Sequence, residues 1–268
     1  MTIPLITHHG TPGAGVPYEP FARDAEARGL QYVAYSRPGY ADAPRHEGRS
    51  VADCAADVTA LLDELGAERC YTLGWSGGGP HALACAALLG DRVIKAAVIA
   101  GVAPFDADGL DWKAGMGEEN LQEFAAMEAG PEQLRAFLEQ VRPSLTAITP
   151  EQVEASLGDL ICESDRRVIG GDFAAWLAES FRTGLANSSD GWFDDDIAIS
   201  KPWGFDLSAI DVPVTIWQGD DDRMVPLAHG QWLAEHVRGV RAEFRPGDGH
   251  LSITVARYGE ILDDLLAG

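Results

Sequence analysis

Short β-branched runs ending at glycine or proline alternate with amphipathic segments along most of this chain, and that alternation limits the fold more than any other feature. Ile3 to His8, Gln31 to Tyr35 and Cys70 to Trp75 read as strands, as do Val93 to Ala100, Val212 to Gln218 and Val240 to Phe244. Between them, Val51 to Leu65 carries apolar residues at Val51, Val58, Leu61, Leu62 and Leu65, with Ser50 placed as N-cap and Gly66 as the stop. Gly78 to Leu89, Leu227 to Val237 and Leu251 to Leu266 read as helices in the same way. Strands joined through helices run parallel, and a parallel sheet is covered by helices on both faces.

From about Pro104 to Trp203 the alternation stops. Helical segments follow, broken at Gly130-Pro131, Arg142-Pro143, Thr149-Pro150 and Gly170-Gly171. A structureless loop of that length does not fit a compact domain. The 268 residues therefore divide into a sheet-bearing core, 1–103 with 204–268, and an inserted helical cap or lid, 104–203. The insertion's aromatics at helical spacing read mostly as core. Its acidic runs, Glu118-Glu119 and Asp194-Asp195-Asp196, read as solvated faces.

Twenty Lys and Arg against 42 Asp and Glu give a formal charge of −22, which repels nucleic acid and anionic membranes unless a basic stripe exists. The sequence has no such stripe: Lys95, Lys113 and Lys201 are its only lysines. No apolar run is long enough to span a bilayer, and the start, MTIPLITHHG, lacks the pattern of a secretory signal, so a cytoplasmic location is expected. Cys54, Cys70, Cys85 and Cys162 sit singly, without metal-ligand spacing, and read as buried free thiols. A small-molecule substrate, with no cofactor and no metal, is the partner expected.

Gly74-Trp75-Ser76-Gly77-Gly78 stands where the third strand hands over to a helix, the context that a G-x-S-x-G nucleophile elbow requires. With it come four further motifs in order. His9-Gly10-Thr11-Pro12-Gly13 follows the first strand and Ser36-Arg37-Pro38-Gly39-Tyr40 the second; Gly219 to Pro226 follows a later strand, and Gly249-His250 precedes the last helix. Together these resemble the α/β-hydrolase superfamily, in particular its lid-bearing small hydrolases and esterases, over nearly all of the chain. Two departures stand out. Ser36 occupies the position of an aspartate in the family's Asp-Arg-Pro-Gly-Tyr turn, and the sequence opens at the first strand, so the antiparallel hairpin that usually precedes it is not expected. A sheet of about six strands is expected, with Gln31 to Tyr35 at an edge open to homodimer pairing.

The resemblance implies a Ser76, Asp222, His250 triad. Serine at its own pKa is a poor nucleophile, so His250 accepts its proton while Asp222 holds the imidazole. Asp220 and Asp221 then read as turn carboxylates, and Asp106 or Asp108 is the alternative acid if it follows the preceding strand instead. Backbone N–H groups of Thr11 and Gly77 are the oxyanion-hole candidates, Pro12 having none to offer. His9 orients that loop, and no role falls to His8, His46, His81, His229 or His236. Trp75 and Trp203 are candidate pocket residues. The expected activity is acyl-enzyme hydrolysis of a neutral, partly apolar ester, lactone or amide. A serine aminopeptidase, a C–C bond hydrolase, a haloperoxidase-like enzyme or a non-catalytic sensor would keep the same triad.

Overall fold

The computed structural model describes residues 2–267. In chain order come β1 (Ile3–His8), α1 (Glu19–Ala27), β2 (Leu30–Ala34), α2 (Cys54–Glu64), β3 (Cys70–Trp75), α3 (Gly79–Leu88) and β4 (Val93–Ile99). Then follow α4 (Glu118–Ala129), α5 (Pro131–Thr146), α6 (Val153–Leu157), α7 (Glu163–Val168), α8 (Gly171–Leu185) and α9 (Asp190–Ile199). The chain returns to the sheet with β5 (Val214–Gly219), α10 (Leu227–His236), β6 (Arg241–Arg245) and α11 (His250–Leu266). Every strand pairing is parallel, and the six strands lie in the order β2-β1-β3-β4-β5-β6. The architecture is the α/β-hydrolase fold, with β2 at one edge and the charged β6 at the other. Among the described residues no helix is long and apolar enough to cross a membrane.

Neighbouring strand residues point to opposite faces, and two cores result. Leu5, Leu73, Ala97, Ile99 and Trp217 pack with Phe21 of α1 and with Tyr258, Ile261 and Leu262 of α11. On the other face Ile6, Ala96, Val98 and Ile216 meet Val58 and Leu62 of α2, Leu83 of α3 and Leu233 of α10. The four cysteines are buried free thiols.

Two local features differ from the sequence reading. Helix α1 was not expected: it is short and largely polar, and it is fixed by Phe21 stacking on Tyr258 at 3.8 Å. Arg142-Pro143 does not end a helix, because Pro143 sits inside α5 and the chain stays helical to Thr146. The interior proline forgoes one backbone bond, while Arg142 Nε ties the helix to the Leu185 carbonyl at 2.8 Å. Gly130, at φ 123°, does separate α4 from α5.

The chain passes from β1 outward to β2 and comes back to β3 on the other side of β1. Open α/β sheets bind ligands at such a reversal, beyond the carboxyl ends of the strands. Here β1 and β3 deliver His9-Gly10-Thr11 and Ser76 to that crevice. The fold is expected to depend on Leu83, fully buried behind it: Leu83→Ala should cost about 2–5 kcal/mol in urea unfolding. Leu65→Ala, at a helix end with 37% exposure, should stay within about 0.5 kcal/mol.

Candidate active site

Ser76 holds φ at 56°, a left-handed conformation rare outside glycine. Such a residue stores about 1–3 kcal/mol of strain that its surroundings must enforce. The glycines show how. A Cβ on Gly74 would collide with the Gly78 carbonyl, and one on Gly78 with the carbonyl of His8 in β1. Strand, turn and helix are thus too close for side chains at those positions. A Cβ on Gly77 would likewise strike the Thr11 side chain, so the loop after β1 lies directly against the start of α3.

His250 opens α11 and is 1% exposed. Its Nδ1 lies 2.8 Å from Asp222 Oδ2. The same carboxylate accepts Gln218 Nε2 at 2.9 Å and the backbone N–H groups of Met224 and Val225 at 2.9 and 2.8 Å. Every lone-pair direction of Asp222 is therefore occupied, and the turn after β5 holds it rigidly. Asp220 and Asp221 point to solvent, the former accepting Gly247 N at 2.7 Å, and Asp106 and Asp108 are exposed. Asp222 is the one of these carboxylates placed against His250.

Ser76, His250, Thr11, Gly77 and Trp75 all line one cavity of about 350 Å3. Trp75 packs beside His250, ring centroids 5.5 Å apart, and donates its indole N–H to the His250 carbonyl at 3.4 Å. The rest of the wall is largely aromatic and aliphatic, with Trp112, Phe124, Trp176 and Trp192 contributed by the segment between β4 and β5. Trp203 is elsewhere. It is 4% exposed, packed in the core beneath the sheet with its N–H on the Ile199 carbonyl at 3.3 Å, because the chain has already turned back toward β5.

The run Asp194-Asp195-Asp196 is not a solvated face: all three residues are buried. Asp194 pairs with Arg45 at 2.8 Å. Asp195, fully buried, accepts Arg37 Nη2 at 2.6 Å, Arg49 Nη2 at 2.7 Å, Thr11 Oγ1 at 2.7 Å and the Tyr40 hydroxyl at 2.8 Å. Burial alone would raise the Asp195 carboxyl, but Arg37 and Arg49 outweigh it and hold the group well below the usual carboxylate range. Arg37 also donates to the carbonyls of His9 at 2.5 Å and Gly10 at 3.3 Å. His9, whose Nε2 accepts Arg37 N at 3.2 Å, is kept neutral by burial and by the arginine. A second aspartate, Asp165 of α7, accepts the backbone N–H groups of His250, Leu251 and Ser252 at 3.2, 2.9 and 2.8 Å, capping α11 where the histidine sits.

The chain belongs to the α/β-hydrolase fold family, whose model matches residues 3–255. A non-heme haloperoxidase of Rhodococcus erythropolis is 26% identical over 94% of this chain and 87% of its own length. A bifunctional esterase/perhydrolase of Acinetobacter calcoaceticus is 26% identical over 98% of this chain and 90% of its own. Among solved structures, a bromoperoxidase from Bacillus anthracis superposes with a TM-score of 0.72 at 20% identity, covering 100% of this chain and 93% of that one. Esterases and haloperoxidases thus share this chain's ancestry, and together they support a hydrolase in general terms.

The buried ion cluster yields a stability test. Asp195→Ala leaves Arg37 and Arg49 without their counter-ion, a loss expected to cost about 3–5 kcal/mol in urea unfolding. Asp194→Ala, whose arginine is partly solvated, should cost much less.

Proposed function

We propose that this protein is a serine hydrolase in which Ser76 is the nucleophile, His250 its base and Asp222 the group that orients the imidazole. The observation that carries the reading is the 2.8 Å contact of His250 with Asp222 on the wall of the cavity that Ser76 also lines. With Nδ1 committed to the carboxylate, Nε2 is the nitrogen left to take the Ser76 proton and later return it to the leaving group. The N–H groups of Gly77 and Thr11 would receive the oxyanion, a contribution worth about 3 kcal/mol per donor. Water then cleaves the acyl-serine.

The substrate proposed is a small, partly apolar ester, lactone or amide with a neutral reacting carbonyl, matching the aromatic cavity wall. Residues 104–203 would act as the cap over it, excluding water and selecting the acyl or leaving group. The relatives named haloperoxidase and perhydrolase favour a second reaction on the same intermediate: hydrogen peroxide in place of water would release a peracid from the acyl-serine.

A fluorophosphonate should place one covalent label on Ser76, and Ser76→Ala should lose both the label and turnover of a chromogenic ester panel. Label on another residue, or unchanged turnover in the variant, would refute the assignment. Asp222→Asn should lower kcat by about 10⁴ with the fold intact, while Asp220→Asn and Asp221→Asn change it little. Comparable kcat losses at all three positions would remove Asp222 from the triad.

A further inference from the structure

The cavity wall carries a charge that the proposed reaction does not use. Glu119 and Glu123, one helical turn apart on α4, and Asp196 of α9 all line it. Among the described residues lining the cavity there is no Lys or Arg; the other titratable groups there are His9 and His250. Helices α5 and α8 present only uncharged side chains to it. Asp196 is 2% exposed, and its Oδ2 meets no donor. Glu123 Oε1 accepts the Trp192 indole N–H at 2.6 Å, and the Glu123 carboxyl lies near enough to Asp196 for each to act on the other's charge.

Two neighbouring buried carboxyls without a cation do not both ionise readily, because burial and the like charge each favour the protonated form. Burial pushes Glu123 up to about 7, and burial, followed by the nearby Glu123, raises Asp196 well above the ordinary carboxylate range. Asp195 is the internal control. Next in sequence and equally buried, it has two arginines and stays ionised. The difference between adjacent aspartates is the presence of a cation, and Asp196 faces a cavity where the protein supplies none.

We infer that the Glu123–Asp196 pair is a subsite for a cationic amine, so that the molecule bound beside Ser76 carries a primary ammonium group. The inference rests on the serine hydrolase reading for its bearing on turnover. The ammonium would supply the missing counter-ion, displace a carboxyl proton to solvent, and share the cavity with Trp112, Phe124 and Trp192, aromatic rings of the kind that attract cations. Proton loss frees the negative charge, so amine binding strengthens as pH rises through about 7 and weakens below it. A wall of carboxylates also excludes anions, and the ammonium replaces the wholly neutral substrate expected from the sequence with one that carries a charged amine beside its neutral carbonyl.

The test uses the intact protein and non-reacting probes: hexylammonium and hexanol, titrated calorimetrically at pH 6 and pH 8. Hexylammonium should bind at least tenfold more tightly than hexanol at pH 8 and lose most of that advantage at pH 6. At pH 7, titration in two buffers of different ionisation heat should show proton release with the amine alone. In Glu123→Gln the advantage at pH 8 should vanish. Should that variant fail to fold, the wild-type comparison of amine with alcohol decides by itself. Equal binding of the two probes at pH 8, amine binding without proton release, or an advantage that survives Glu123→Gln would overturn the inference. None of these readouts depends on Ser76, so failure of the nucleophile assignment would appear separately, as absent fluorophosphonate labelling.

Discussion

The carboxylate of Asp195 is the contact on which the site's geometry depends. It neutralises Arg37, and Arg37 in turn holds the carbonyls of His9 and Gly10 and shares the Thr11 hydroxyl with Asp195 itself. A loop pinned by its carbonyls and hydroxyl has fixed peptide planes, and therefore fixed directions for its N–H groups. Buried ion pairs seldom add net stability over apolar packing of the same volume. What this one supplies is a single conformation for the segment that faces Ser76. The cluster of two arginines and one aspartate also keeps a net positive charge under the loop, which helps to hold His9 and His81 neutral together with their burial.

Asp165 performs the matching task on the other side of the cavity. By capping the start of α11 it sets the backbone from which His250 reaches Asp222. Both aspartates belong to the segment between β4 and β5, whereas the groups they hold belong to the sheet-bearing part of the chain. Tyr40 strengthens the bond between the two parts, packing fully buried among Leu134, Leu138, Leu185 and Trp192 while its hydroxyl reaches Asp195. The inserted helices therefore take part in shaping the crevice.

What the sequence made legible was local. Alternating runs and turn residues gave the six parallel strands, and the elbow could be recognised because its glycines and serine fall within five residues. The offset within a known turn singles out Asp222 from three neighbouring aspartates, and it is the one that lies against His250. The clamps were hidden for the opposite reason. Arg37 and Asp195 are 158 residues apart, and three aspartates in a row look like a solvated face until the arginines that meet them are located. Trp203 misled because nearness to the end of an insertion says nothing about which way a side chain turns. Helix α1 carries too few buried apolar residues to show a period, and Pro143 is tolerated in α5 because anchors elsewhere hold that helix in place.

Asp165 and Asp195, which hold parts of the chain far from them in sequence, also bear on how such proteins diversify. An insertion transplanted from a relative lacking counterparts of Asp165 and Asp195 would leave two arginines uncompensated and a helix start uncapped in its new host. Recombination that swaps the two parts as independent modules should therefore yield few folded chimeras. The parts can be exchanged only if their acidic and basic halves move together, which makes them a single unit of inheritance despite their separation along the chain.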